Sequence, residues 1–218
     1  MGRAGEAWVA AVGHLGGGGG AAADRAADLE RRYAEPHRSY HTTTHLEAVL
    51  RDSAWLGDQI GLDPDERAIV ALAACAHDVV YDAKPGDDER ASAQWARHAL
   101  TTAGLTEDLV QRVEHLVLLT LTHTGDDDAA GAVLLDADLA ILAAEPRAYA
   151  DYVAAVRAEY ASVTDEQWRT GRTDVLTNLL KQQPLFHTAP AQQKWEEPAR
   201  RNLDSELQAL RTNPRPSR

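Results

Sequence analysis

A histidine followed directly by an aspartate, His77-Asp78, closes a long apolar run from Ile69 to Ala76. An imidazole and a carboxylate at the rim of a buried segment are costly unless something binds them. Two other segments repeat the pattern. Upstream stands His41-Thr-Thr-Thr-His45, and downstream Asp136 and Asp138 interrupt the apolar stretch 133–142. There the apolar side chains already claim most of a helix circumference, so both aspartates cannot share a solvated face. One carboxylate is expected to face a metal and the other to orient a ligand or cap a neighbouring group. Taken singly, each feature has a plainer explanation: helix-start histidines, a histidine favoured at a helix C-terminus, a buried ion pair. Together they offer nitrogen and oxygen ligands with no thiolate. That set suits Mn, Fe, Co, Ni, Zn or Mg better than a cysteine-rich structural zinc.

The ligands need elements that can aim them. Adjacent residues stand about 100° apart on a helix, so His77 and Asp78 converge on one ion only at a helix end. Asp63-Pro64-Asp65-Glu66 is a strong helix start, and it places that end at His77-Asp78. A helix opening in Thr42-Thr43-Thr44, with Thr44 and Glu47 as a capping box, puts His45 in its first turn and His41 just outside. Further helices are expected at 6–15, 22–33, 88–103, 106–123, across Asp136 and Asp138, and at 146–161, 165–182 and 196–210. The Gly16–Gly20 stretch reads as a flexible loop, Gly125–Asp128 as a turn, and 213–218 as a frayed tail.

The fold class is therefore all-α, a single helical bundle. Residues 1–29 form an N-terminal helix and a Gly/Ala loop packing on a domain of residues 30–210, with 211–218 as a flexible tail. The formal charge of −12 excludes a surface that coats extended nucleic acid. Cys75 is the only cysteine, so no intrachain disulfide forms, and a reducing, cytoplasmic setting is expected. No secretory signal or membrane-spanning run is apparent. Trp8, Trp55, Trp95, Trp168 and Trp195 read as packing residues.

The order His, His-Asp, distant Asp resembles the HD-domain superfamily of metal-dependent phosphohydrolases, and most nearly a small bacterial subgroup of predicted HD phosphohydrolases. The resemblance rests on 33–45, Ala76-His-Asp-Val-Val-Tyr-Asp82, Asp88-Glu-Arg-Ala-Ser-Ala93, 134–142 and Ala199-Arg-Arg-Asn-Leu203. It implies His45, His77, Asp78 and Asp138 as metal ligands, mono- or binuclear. Asp138 is preferred to Asp136 because Ala137-Asp138 resembles the family's Ala-Asp motif. His41 resembles a histidine that protonates the leaving group in related phosphodiesterases. Asp88-Glu89 resembles an Asn-Glu pair of the subgroup, which makes Glu89 the acid–base candidate and Asp88 a departure. Extra histidines serve a second ion in some members, and His115 and His123 are the pair that could do so.

Arg38, beside Tyr40-His41, is the best phosphate clamp by position, with His123 as a second substrate contact. Arg172 and Arg200 are weaker candidates, since each could pair with an acidic neighbour. The expected activity is hydrolysis of a small phosphorylated molecule or nucleotide by water activated on a divalent ion. Two rivals belong to other classes: a di-iron oxygenase, and a metal-bearing nucleotide sensor without turnover.

Overall fold

The computed structural model describes residues 1–123 and 128–212. Among these are ten α-helices and no strand. In chain order they are α1 (Arg3–His14), α2 (Gly20–Tyr33), α3 (Thr43–Ile60), α4 (Pro64–Ala76), α5 (Asp87–Thr102), α6 (Glu107–Leu119), α7 (Ala129–Leu139), α8 (Pro146–Glu159), α9 (Asp165–Lys181) and α10 (Ala189–Thr212); a 3₁₀ turn, Ala140–Ala143, follows α7. The chain is all-α, as expected from composition and pattern. No helix among the described residues is long and apolar enough to cross a membrane.

α4 is the centre of the bundle. It packs against α1, α3, α6 and α7. Its residues Leu72, Ala73, Ala74, Cys75 and Ala76 are fully buried, and the run of small side chains lets these helices, and α5 besides, approach its axis closely. The start is as expected: Asp63 caps it by accepting from Glu66 N (2.9 Å), and Pro64 occupies its first turn. The end is also as expected, because the helix stops at Ala76 with His77 as its cap. α2 and α6 flank α5, and α10 packs on α9, α3 and the 3₁₀ turn. The tryptophans pack in pairs, Trp8 with Trp95 (5.3 Å between ring centres) and Trp55 with Trp195 (5.4 Å).

Four local expectations are corrected. The Gly16–Gly20 segment is pinned, not loose: Gly17 N bonds Val12 O (2.9 Å) and Gly18 N bonds Ala103 O (3.0 Å). Thr44 with Glu47 does not cap α3. The helix begins at Thr43 with Thr42 ahead of it and no hydroxyl capping bond. α6 stops at Leu119, and His123 lies beyond it in a left-handed conformation (φ +49°). α10 begins at Ala189, not near Glu196. Its start is marked by Thr188, whose hydroxyl accepts from Ala191 N (3.3 Å), with Pro190 tolerated in the first turn. The expected turn at 125–128 lies outside the described residues except for Asp128, which caps α7 through Ala130 N (3.0 Å). The tail 213–218 lies outside them too.

A Cβ on Gly17 would stand 2.2 Å from Leu105 Cδ1 and 2.9 Å from the Ala103 carbonyl. Gly17→Ala is expected to cost about 1–3 kcal/mol through overpacking. Gly18→Ala, with open space around it, should be close to neutral, and urea denaturation of the two variants measures the difference.

Candidate metal centre

Four side chains from three parts of the chain meet at the end of α4. His45 comes from the first turn of α3, His77 and Asp78 from the exit of α4, and Asp138 from the last turn of α7. One ligand atom from each lies within 4.8 Å of all the others. His45 Nε2 stands 3.2 Å from His77 Nε2, 3.5 Å from Asp78 Oδ2 and 3.3 Å from Asp138 Oδ1. His77 Nε2 stands 3.1 Å from Asp78 Oδ2 and 3.5 Å from Asp138 Oδ1. Ligands about 2.0–2.2 Å from one ion lie about 2.8–3.6 Å apart when adjacent in octahedral or tetrahedral geometry. The spacing therefore fits a single divalent ion, and the donors are the ones such ions take.

The electrostatics point the same way. Burial would by itself push the Asp78 and Asp138 carboxyls up, but His77 and the hydrogen bonds from His45 and His77 hold both well below the usual carboxylate range. Burial would likewise lower His45 and His77, yet the two carboxylates raise both, His77 strongly. Two carboxylates kept ionised in a dry pocket form a site that a cation stabilises.

The ligands are held from behind. His77 Nδ1 faces the Ala74 carbonyl (2.8 Å), which leaves Nε2 for the cluster. Asp138 uses its second oxygen on His123 Nε2 (2.9 Å). The Tyr33 hydroxyl bridges the α4 exit, donating to Cys75 O (3.2 Å) and accepting from Asp78 N (3.3 Å).

Arg38 belongs to this support and not to a phosphate clamp, which corrects the expectation from its position. Its side chain is fully buried and makes five hydrogen bonds: Nε and Nη2 to Glu35, Nη1 to the carbonyls of His41 and Asp78, and Nη2 to the carbonyl of Val79. A guanidinium has five N–H groups, so none remains for a ligand. Arg200 is likewise occupied by Glu196 and by the carbonyls of Leu180 and Gln182 at the end of α9. Asp136 is fully buried and points away from the cluster. It accepts from His187 N (2.7 Å) and Thr188 N (2.7 Å), fixing the approach to α10. The two aspartates thus divide as the sequence suggests, one in the cluster and one capping a neighbouring segment.

The residue that sequence reasoning misses is Glu159, the last of α8. Its Oε1 accepts from the backbone N–H of Ser39, Tyr40 and His41 (2.7, 2.7 and 2.9 Å). Its Oε2 faces His41 Nδ1 (2.7 Å) and the Tyr81 hydroxyl (3.1 Å). Burial pushes this carboxyl up, but the bonds from His41 and the backbone outweigh it and bring its pKa to about 2. Glu159 is therefore an anion at neutral pH. His41 stacks on Tyr81 (ring centres 4.1 Å apart), and its Nε2 lies 3.9 Å from Asp78 Oδ2.

His41, Asp78, His123 and Asp138 line a cavity of ≈ 540 Å³ under α8 and α9. Asp88 and Glu89 line it too. Asp88 is buried and committed to the backbone N–H of Asp82 (3.0 Å) and Lys84 (2.8 Å), while Glu89 takes Gly86 N (2.6 Å). Between them Ala83 is held at φ +57°, a second non-glycine residue in the left-handed region beside this cavity. His115 is on the exposed side of α6 and does not join the cluster; among the described residues one metal-competent group is present.

No family model, curated protein or solved structure matches the chain.

The division of labour between the two aspartates is testable by elemental analysis of purified variants. Asp78→Asn and Asp138→Asn are expected to lose bound metal. Asp136→Asn should retain it and lose about 1–3 kcal/mol of stability through its unsatisfied backbone donors. Loss of metal in all three alike would refute the assignment.

Proposed function

We propose that the protein is a metal-dependent phosphohydrolase acting on a small phosphoester or nucleotide. The observation that carries this reading is a four-ligand N,N,O,O cluster opening into the same cavity as a histidine that a buried carboxylate holds by its far nitrogen. A binding-only module has no need of that histidine.

His45, His77, Asp78 and Asp138 would hold the ion, one of Mn, Fe, Co, Ni, Zn or Mg. Bound there, it supplies a Lewis acid and a nucleophilic hydroxide at neutral pH. The chain's own residues do the rest. Glu159 fixes His41 through Nδ1, so Nε2 is the nitrogen that faces the cavity. From there His41 can deliver a proton to the departing oxygen, the role its position before the ligand histidine suggests. Glu89 lines the same cavity and is the second acid–base candidate, one oxygen being held by Gly86 N. With Arg38 occupied, His123 is the cationic candidate nearest the phosphoryl group. It stands on Asp138 and lines the cavity. The backbone from Ser39 to His41 is clamped by Glu159, which keeps the proton donor in place without a substrate present.

The test is a phosphatase screen on metal-reconstituted protein. Asp78→Ala should abolish phosphate release. His41→Ala should lower kcat about 10²–10⁴-fold while retaining metal, the usual span for a lost proton donor. Glu159→Gln should fall between wild type and His41→Ala. Equal release by wild type and Asp78→Ala would sink the proposal.

A further inference from the structure

Two cavities meet at the cluster, and they differ in chemistry. The one containing His41 is the ≈ 540 Å³ space under α8 and α9. Beyond the metal ligands its walls include Tyr152, Val156, Tyr160, Trp168 and Val175, with Thr120 and Gln167 as neutral polar groups among them. The other, ≈ 630 Å³, contains His45 and Asp138 but not His41. It carries hydroxyls of Ser39, Thr42 and Thr44, the cation Lys194, an Arg51–Asp52 ion pair (2.7 Å) and the carboxylate of Asp151. Tyr40 and Tyr152, packed edge to face at 4.7 Å, line both and stand between them.

The position of His41 decides which side receives the departing oxygen. Its Nδ1 is taken by Glu159, so a leaving group must approach Nε2, from within the cavity of α8 and α9. That cavity has one Lys or Arg among its described lining residues, Arg172. Buried Arg172 and part-buried Glu206 pair through Nε–Oε1 (2.8 Å) and Nη2–Oε2 (3.0 Å). Nη1 faces the Tyr152 hydroxyl (3.3 Å). Its charge is therefore matched, although its remaining N–H edge can still meet a neutral acceptor. The other charged groups on the wall away from the ligands are the carboxylates of Asp88 and Glu89. A second phosphate placed on this wall, away from the ligands and His123, would meet carboxylates and no unpaired Lys or Arg among the described lining residues, whereas a flat apolar body would meet aromatic rings.

Resting on the phosphohydrolase reading, we infer that the substrate is a phosphomonoester whose leaving group is uncharged and lays an aromatic or apolar body against Tyr152, Tyr160, Trp168 and Val175. Polar sugar phosphates and substrates that release a second phosphate are discriminated against by the same walls. Val175, 48 % exposed at the lip of α9, is the place to reverse this choice without disturbing the core.

Two experiments separate this inference from the reading it rests on. Hydrolysis by the metal-reconstituted protein compares 2-phenylethyl phosphate with glycerol 3-phosphate, both primary alkyl esters, and adenosine monophosphate with the triphosphate. The first of each pair should be favoured at least about tenfold in kcat/KM. Binding to the metal-free protein compares 1-naphthol with naphthalene-1-sulfonate by fluorescence. The uncharged ring should bind at least about fivefold more tightly, weaken in Trp168→Ala, and lose its advantage in Val175→Lys. Release without preference within either pair, or equal binding of the two naphthalenes, overturns the inference and leaves the phosphohydrolase reading standing. No release from any ester, with selective naphthol binding intact, overturns the reading and leaves the cavity's selectivity standing.

Discussion

Two ionised carboxylates inside an apolar bundle are the condition to which the rest of this fold answers. Asp78 and Asp138 sit among helices whose other inward side chains are mostly alanine, leucine and valine, and burial alone would drive both toward the neutral acid. They are tolerated because two imidazoles stand within about one hydrogen-bond length, and because the geometry invites a cation. That cluster exists only where three helix termini coincide: the first turn of α3, the exit of α4 and the last turn of α7. The small-residue character of α4 follows from the same demand. A bulkier central helix would hold its neighbours too far apart for the termini to meet.

Around the cluster, charged side chains serve backbone groups more than they serve each other. Arg38 gathers carbonyls at the α4 exit, Glu159 gathers N–H groups ahead of α3, Asp136 fixes the approach to α10, and Asp88 fixes the 82–84 loop. Each satisfies polar groups of irregular segments that would otherwise be buried without partners. The bundle is thus regular in its helices and individually tailored at its joints, and the joints are where the candidate chemistry stands.

This explains what was legible in the chain. His45, His77, Asp78 and Asp138 stood out because each interrupts an apolar context, and the Asp63-Pro64 start located the α4 exit through purely local chemistry. Arg38 misled because adjacency to His41 says nothing about which way a side chain turns; only the fold shows three carbonyls and the Glu35 carboxylate around it. Glu159 was invisible because Arg157-Ala-Glu159-Tyr160 reads as an ordinary helix end, and its partners lie 78 to 120 residues away. The early start of α10 was hidden by Pro198, a conspicuous proline, while the true signal, Thr188-Ala-Pro190, is shorter.

The reach of Glu159 has a consequence for the order in which the molecule is made. The loop carrying His41 leaves the ribosome early, and Arg38 holds its carbonyl side locally; the N–H groups of Ser39, Tyr40 and His41 wait for a carboxylate at the end of α8. Loop closure over that distance is slow relative to helix formation. The helices of the first half can form and pack while the His41 side chain is still without Glu159. Formation of the bundle and the fixing of His41 are therefore separable events, joined when α8 docks.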